Sequence, residues 1–211
     1  MCGRYLVEIS EEELREIAAA LDTTPADGAV SPCGNSDELT FTFAGKGGEI
    51  FPGSVAPVIT GNNEVRFMKW GFPGIIAKQS YINARSETAA ASRTFGEAMA
   101  ARRCIVPASG YYEWKTRDKK HKAKYKFTIP DQTLMFMAGI YSVDGQFAIL
   151  TRAAVSAITE IHDRMPVILS KSLAEMWLQE SPDALNEALT DLEFSPVPAV
   201  DKQPEQTSLF N

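Results

Sequence analysis

The chain has 211 residues, 45% of them hydrophobic, and a formal net charge of −6, which predicts one large domain with its own core. No apolar stretch approaches the roughly 18 residues of a membrane-spanning helix, so such a helix is excluded and a soluble protein is expected. The charge is uneven, because nine basic residues between Arg102 and Lys126 outnumber two acidic ones, and this asymmetry permits a local anion-binding face.

The first predicted element is a helix near the amino terminus. Ser10 and Glu13 form a capping-box pattern. Leu14 and Leu21 follow at helical spacing, so the helix is expected to end near Asp22. Residues 24–38 and 45–48 are rich in turn-forming residue types and predict loops. The further predicted elements are a strand Leu39–Phe43, strands Val55–Thr60 and Val65–Trp70, a helix Ser92–Ala101, strands Cys104–Pro107, Tyr111–Lys115, Tyr125–Ile129, Leu134–Tyr141 and Gln146–Thr151, and short helices Ser172–Gln179 and Pro182–Thr190.

This order of elements predicts an α+β fold. We expect a single domain over residues 1–195, built round a curled, barrel-like antiparallel β-sheet with flanking short helices. Residues 196–211, with Pro198 and Pro204, are expected to form an extended or disordered tail. Nothing in the apolar pattern requires a dimer, so a monomer is expected.

The cysteines and histidines indicate the compartment and exclude some cofactors. Cys2, Cys33 and Cys104 are odd in number and widely spaced, and no signal-peptide run precedes the first helix. This pattern predicts a reduced, cytoplasmic protein. The two histidines lie far apart without a ligand cluster, so we expect no structural metal and no cofactor.

Cys2 follows the initiator methionine directly. Once Met1 is removed, the residue carries a free α-amine and a thiol on adjacent carbons, which is a 1,2-aminothiol. The amine titrates close to neutral pH and adds to aldehydes, after which the sulfur closes onto the imine carbon to give a five-membered thiazolidine. The alternative is that a cysteine at a frayed terminus has no role.

Three internal segments carry polar residues where a fold alone does not require them. Asn83 lies in the segment 82–87, Glu113 lies in the aromatic segment 107–114, and His162 lies in the segment 161–166. Each also has a simpler interpretation. Asn83 can form a turn, Glu113 can lie on the exposed face of a strand, and His162 can be a loop residue bonded to Asp163.

Together with the amino terminus, these segments resemble the SRAP (SOS-response-associated peptidase) family. The resemblance rests on MCGRY at 1–5, NARSE at 83–87, RCIVPASGYYEW at 103–114 and HDRMPV at 162–167, which occur in the family's order over residues 1 to about 180. It implies the SRAP fold and an enzyme that acts on abasic sites in single-stranded DNA, as part of the DNA damage response. The ring-opened abasic sugar exposes an aldehyde, which is the group that a 1,2-aminothiol captures.

The resemblance also implies a catalytic role for four residues. Cys2 is the nucleophile that forms a covalent DNA–protein crosslink, and Asn83 positions its amine and the sugar. Glu113 and His162 exchange protons during imine formation and ring closure. Met1 must leave first, because an amide nitrogen forms no imine. Ordinary methionine removal suffices, and self-removal by an autopeptidase activity with Glu113 and His162 stays open.

DNA contacts are implied for a second set of residues. Arginines hold phosphates and aromatic rings stack on bases in proteins that bind single strands. The residue Trp70 is the stacking candidate, with a core position as its alternative. Residues 117–122 would add a diffuse basic rim, and the DNA-bound protein would associate with the nucleoid. The other implied DNA contacts are Arg4, Arg85, Thr151 and Arg164.

The sequence departs from the family in one loop and leaves other functions open. Residues 49–57 stand where many members have an Asn-x-x-Pro-Thr-Gln loop, so the loop contacts and any preference for strand junctions are not determined. One alternative function is an amide hydrolase in which the Cys2 thiol attacks and its own amine is the base. The other is a non-catalytic DNA-binding module in which Cys2 is incidental.

Overall fold

The computed structural model describes residues 2–21, 48–76, 78–116, 122–179, 182–190 and 192–197. The predicted strand Leu39–Phe43, Cys33 and residues 117–121 of the basic segment lie outside these ranges. The strands are β1 Arg4–Leu6, β2 Glu49–Ile50, β3 Val55–Thr60, β4 Val65–Trp70, β5 Phe72–Pro73, β6 Ser80–Tyr81, β7 Asn83–Arg85, β8 Arg103–Ala108, β9 Gly110–Thr116, β10 Lys122–Thr128, β11 Met135–Tyr141, β12 Gln146–Ala153, β13 Arg164–Pro166, β14 Ile168–Leu169 and β15 Glu193–Pro196. The α-helices are α1 Glu11–Ala19, α2 Ser86–Ala89, α3 Gly96–Ala101 and α4 Lys171–Leu178, and two 3-10 helices cover Ser156–Glu160 and Pro182–Leu185.

Five strands close into a barrel in the order β12, β4, β3, β8 and β11, and β11 pairs back onto β12. The expected α+β fold with a barrel-like sheet is confirmed. The sheet is mixed, however, because β12 runs parallel to both β4 and β7. A parallel pair requires a long connection, and residues 71–145 supply it between β4 and β12.

The barrel strands are apolar on both faces because each face packs against a different layer. Along β8, Cys104 and Val106 belong to the cluster that fills the barrel, whereas Ile105 belongs to the cluster under the helices. Successive side chains of a strand point to opposite faces, which produces this alternation. The helices α1, α3 and α4 cover the outer layer, so the barrel strands are buried on both sides.

A second sheet, in the order β15, β10, β9, β1 and β2, holds the amino terminus. Tyr5 on β1 lies opposite Tyr111 on β9, and both are buried in the same cluster as the barrel interior. Arg4 lies opposite Tyr112 on the other face of this sheet. The strand β1 therefore places the first residues of the chain against the barrel.

The predicted strands within the described ranges are confirmed, with ends shifted by three residues or fewer. The predicted helix Ser172–Gln179 is confirmed as α4, one residue earlier, whereas the other three helices are shorter than predicted. The capping box of Ser10 and Glu13 is present, but α1 ends at Ala19 rather than near Asp22. The prediction of a helix from Ser92 was wrong in its first turn. The Ser92 hydroxyl accepts the Thr94 backbone N–H at 3.2 Å, which favours a turn over a helix. The predicted helix Pro182–Thr190 was also wrong in length, because only the 3-10 helix Pro182–Leu185 forms.

The start of the predicted tail is part of the second sheet. The strand β15 pairs antiparallel with β10, and the Val197 backbone N–H donates to the Lys124 carbonyl at 2.8 Å. The predicted boundary after residue 195 therefore falls inside a paired strand, and residues 198–211 lie outside the described ranges. Among the helices in the described ranges, none is long and apolar enough to cross a membrane.

Candidate functional site

Cys2 lies immediately before β1 and is completely buried. Asn83, the first residue of β7, donates a hydrogen bond from Nδ2 to the Cys2 carbonyl oxygen at 2.9 Å. The Cys2 Sγ atom lies 3.6 Å from the carbonyl oxygen of Arg4. Asn83 Oδ1 is also buried and finds no hydrogen-bond partner among the described residues. The amide of Asn83 thus fixes the amino-terminal residue to the barrel and keeps one acceptor for a ligand.

Trp70 holds the strand that carries Asn83. Its indole N–H donates to the carbonyl of Ile82 at 2.9 Å, one residue before Asn83. The ring is fully buried, lies edge-on to Tyr5 at 5.1 Å and stacks with Phe147 at 6.3 Å between centroids. Trp70 therefore occupies the core, which is the alternative that the sequence left open, and it presents no exposed ring to a base.

Glu113 lies on β9 with only 2% of its surface exposed, so its interpretation as a residue on an exposed strand face is wrong. Burial raises the pKa of Glu113 by more than the positive charges of the amino terminus and of His162 lower it. Burial also raises the pKa of the Cys2 thiol, and the charge of Glu113 raises it further. The carboxyl group of Glu113 and the thiol of Cys2 are therefore electrostatically coupled, and Glu113 keeps its proton to a higher pH than an exposed glutamate does.

His162 lies in the loop before β13. Its Nδ1 accepts the backbone N–H of Arg164 at 3.0 Å and also lies 2.8 Å from Asp163 Oδ1. The two contacts require opposite protonation of Nδ1. The backbone N–H bond fits the neutral ring, and the contact with the exposed Asp163 carboxylate fits the protonated ring, whose positive charge also acts on Glu113. The neutral ring then carries its proton on Nε2, which makes that nitrogen a donor.

Arg164 belongs to a tight polar network rather than to an open surface. Its guanidinium binds both carboxylate oxygens of Glu87 at 2.7 and 2.8 Å, and Nη2 donates to the Thr151 carbonyl at 2.6 Å and to Thr151 Oγ1 at 3.2 Å. The hydrogen bond from Arg164 lowers the pKa of Glu87 to about 2. Thr151 itself is buried. The network joins α2, β12 and β13 around the end of β7, and the sequence motif did not reveal that Glu87 occupies the guanidinium fork.

Arg85 has a different environment from Arg164, although the strands that carry them, β7 and β13, both pair with β12. It pairs in register with Thr151 across β7 and β12, and its side chain is exposed. Along β7, Asn83 and Arg85 share one face, and Ala84 between them is buried on the other. Arg85 is therefore an exposed cation on the same strand face as the amide that holds Cys2.

Arg4 forms a cation–aromatic cluster that sequence reasoning did not predict. Its guanidinium lies 4.6 Å from the ring centroid of Phe51 and 5.2 Å from that of Trp114. Lys124 lies 3.7 Å from the ring of Tyr112. Glu49 binds Arg4 Nη1 at 3.4 Å and Lys124 Nζ at 2.8 Å. Arg4 keeps 39% of its side chain exposed and Phe51 is 40% exposed, so the cluster is a partly open surface beside the amino terminus.

The structure thus joins Asn83 to Cys2 by a hydrogen bond and places Glu113 in electrostatic reach of both Cys2 and His162. Arg85, Thr151 and Arg164 lie round the adjoining strands β7, β12 and β13. Within the described ranges, no group of three or more histidine, cysteine, aspartate or glutamate residues could hold a metal ion.

Known proteins resemble this chain in both sequence and fold. A family model described as SOS response associated peptidase (SRAP) matches residues 1–203. The abasic site processing protein YobE of Bacillus subtilis (strain 168) is 32% identical over 165 residues, which cover 68% of this chain and 75% of that protein. The abasic site processing protein YedK of Escherichia coli (strain K12) is 37% identical over 119 residues, which cover 53% of each chain.

A solved structure shows the same fold over almost the whole chain. The crystal structure of a phage-related protein from Bordetella bronchiseptica matches with a TM-score of 0.70 at 23% identity, and the match covers 94% of this chain and 95% of that one. The family match extends beyond the motifs at which the resemblance was first seen. This chain therefore belongs to the SOS response associated peptidase (SRAP) family.

Proposed function

We propose that this protein binds single-stranded DNA and captures abasic sites as a covalent thiazolidine crosslink on Cys2, after removal of Met1. The observation that carries the proposal is that the amide of Asn83 binds the backbone of Cys2, whose thiol lies in electrostatic reach of the buried carboxyl group of Glu113. The relatives YobE and YedK carry the name abasic site processing protein, which fits an aldehyde as the substrate. The crosslink would shield the lesion from strand scission.

The chemistry needs a proton carrier at the amino terminus. The amine of Cys2 attacks the aldehyde carbon, and the resulting carbinolamine must lose water to become an imine. Protonation of the departing hydroxyl group promotes this loss, and burial raises the pKa of the Glu113 carboxyl group, which therefore holds the required proton to a higher pH than an exposed carboxyl group does. Loss of water in this way leaves an iminium ion, whose nitrogen keeps its hydrogen, and a Glu113 carboxylate. The sulfur then adds to the iminium carbon while Glu113 takes the thiol proton, which restores the protonated carboxyl group.

Asn83 and His162 complete the proposed site. Asn83 holds the backbone of Cys2 through its Nδ2 and offers Oδ1 to the attacking amine or to a sugar hydroxyl. His162 carries its proton on Nε2 in the neutral ring, so it can donate to the sugar ring oxygen as the ring opens. Positioning by these two groups would keep the amine and the aldehyde in a reactive geometry.

We infer that the DNA lies across two cationic surfaces next to Cys2. Arg85 is an exposed phosphate ligand on β7, and Arg4 is a second one on β1. Phe51 and Trp114 offer partly exposed rings for base stacking, and they replace the buried Trp70 in this role. Arg164 would bind DNA only if a phosphate replaces the Glu87 carboxylate that its guanidinium now binds. Thr151 accepts a hydrogen bond from the same guanidinium and so helps to hold it in place.

The variant Cys2→Ala tests the crosslink itself. It keeps the α-amine and loses the sulfur, so we expect an imine that borohydride traps but no adduct that survives denaturation without a reductant. The measurement is a denaturing gel of processed protein incubated with single-stranded abasic DNA. Cys104→Ala, which removes the buried cysteine of β8, is the matched control and should leave the adduct unchanged.

The same experiment separates the alternative functions. An amide hydrolase would cleave a peptide substrate and form no adduct with abasic DNA. A non-catalytic binding module would bind DNA equally well with and without Cys2 and give no covalent product. Absence of an adduct with processed wild-type protein would contradict the proposal.

The variant Glu113→Gln tests the proton carrier. We expect the rate of adduct formation to fall by about 10²–10⁴-fold, the usual contribution of a general acid or base. We also expect the variant to gain stability relative to wild type as the pH rises. The measurements are the initial rate of adduct formation and the free energy of unfolding in urea between pH 4 and pH 8.

The sign of the stability effect follows from linkage. The folded protein raises the pKa of Glu113, so its stabilising contribution is complete below the ordinary range of glutamate and is lost as the pH rises through the raised value. Glutamine does not titrate, so the Glu113→Gln variant does not lose this stability as the pH rises. Glu160→Gln, at an exposed position, is the control and should change neither quantity. Equal pH profiles for Glu113→Gln and wild type would show that Glu113 is an ordinary glutamate.

The variant Arg85→Ala tests the phosphate contact. We expect weaker binding to every single-stranded sequence and a salt dependence of log K reduced by about 0.7, the release of roughly one counterion from a single strand. The measurement is a fluorescence anisotropy titration at several salt concentrations. Arg15→Ala removes the same charge from the exposed face of α1 and should leave the slope unchanged. An unchanged slope for Arg85→Ala would exclude the contact.

A further inference from the structure

Two buried tyrosines with unpaired hydroxyl groups lie beside the reactive cysteine. Tyr5 and Tyr111 face each other across β1 and β9, and neither has any exposed surface. Each hydroxyl oxygen is buried and finds no hydrogen-bond partner among the described residues. Burial of an unpaired hydroxyl destabilises the folded state, so a native protein that keeps two of them side by side gains something else from them.

The packing of the two rings shows that the hydroxyl groups are not needed to hold the rings. Tyr5 packs edge-on against Trp70 at 5.1 Å, and Tyr111 stacks on Phe127 at 4.7 Å between centroids. These contacts belong to the aromatic rings and would be the same for phenylalanine. Packing of the rings therefore fixes the positions of the two hydroxyl groups.

The hydroxyl groups lie within electrostatic reach of the Cys2 sulfur. Cys2, Tyr5 and Tyr111 belong to the same buried cluster. Burial, and then the charge of a Cys2 thiolate, raise the pKa of both tyrosines, and the charge of Glu113 raises that of Tyr111 further. Both hydroxyl groups therefore keep their protons and can only be neutral donors towards a charged sulfur.

The sulfur needs such donors. Burial and the charge of Glu113 both disfavour the Cys2 thiolate, yet ring closure requires the sulfur to release its proton and attack. A hydrogen bond to a charged acceptor is about twice as strong as one between neutral groups. Donors held in the same buried cluster as the sulfur would therefore offset part of the penalty that burial imposes.

We propose that the hydroxyl groups of Tyr5 and Tyr111 donate hydrogen bonds to the Cys2 sulfur while its S–H bond breaks and the C–S bond of the thiazolidine forms. The inference rests on the proposed function. In this step the proton of the thiol passes to Glu113, the sulfur electron pair forms the bond to the iminium carbon, and the C=N electron pair moves to nitrogen. Nitrogen keeps the hydrogen that it carried in the iminium ion, and Glu113 regains the proton that it gave to the departing hydroxyl group, so no proton is gained or lost overall.

The test is the double variant Tyr5→Phe/Tyr111→Phe, which keeps both rings and removes both hydroxyl groups. We expect adduct formation with single-stranded abasic DNA to slow by about 10- to 100-fold, the effect of losing hydrogen bonds to a charged group. Without DNA, the pH at which iodoacetamide alkylates Cys2 at half its maximal rate, followed by peptide mass spectrometry, should rise by about one unit or more. The melting temperature should stay the same or rise, because two unpaired polar groups leave the core.

Tyr141→Phe is the matched control, since Tyr141 is a partly buried tyrosine at the end of β11, outside the candidate site. It should match wild type in all three measurements. The inference is overturned if the double variant forms the adduct and alkylates at the wild-type rate, or if it only loses stability. Failure of wild type to form an adduct would count against the proposed function, and the alkylation profile would still decide whether the hydroxyl groups act on Cys2.

Discussion

The pairing of β1 with β9 is the constraint on which the rest of the site depends. In this pairing Arg4 lies opposite Tyr112, Tyr5 opposite Tyr111, and Leu6 opposite Gly110. The residue Cys2, just before β1, therefore lies near the residues that follow Tyr112 on β9. Because Tyr111 and Glu113 share the inner face of that strand, the same pairing buries the carboxyl group near Cys2. Two groups that are far apart in the chain thus become electrostatically coupled, and their mutual burial sets the proton affinity of both.

The closed barrel supplies the second wall of the site. The parallel pairing of β7 with β12 fixes Asn83, and the indole of Trp70 holds the residue before it. This rigid core also contains buried polar atoms that have no hydrogen-bond partner among the described residues. They include the hydroxyl groups of Tyr5 and Tyr111 and Oδ1 of Asn83. Such atoms destabilise a fold, and three of them lie in Asn83, which binds Cys2, and in Tyr5 and Tyr111, which share its buried cluster, where we propose that the chemistry takes place.

The barrel strands could be predicted from the sequence because long apolar and alternating runs specify strands locally. The short strands β1, β7 and β13 could not, because three residues carry no periodic signal and form only through their partners. The grouping of Cys2, Asn83, Glu113 and His162 came from the family resemblance, since no local pattern joins such distant positions. The burial of Trp70 and the ion pair between Arg164 and Glu87 depend on tertiary packing. No spacing of residues in a single sequence predicts either of them.

The central claim is that both the amine and the sulfur of Cys2 bond to one carbon of the abasic sugar. The most direct measurement is tandem mass spectrometry of the crosslinked amino-terminal peptide after treatment with iodoacetamide and an amine-acylating reagent. We predict that the DNA remnant lies on Cys2 and that neither reagent modifies that residue. Borohydride should add no hydrogen, because a thiazolidine has no C=N bond. An adduct on a lysine, or one on Cys2 whose sulfur is alkylated, would contradict the central claim.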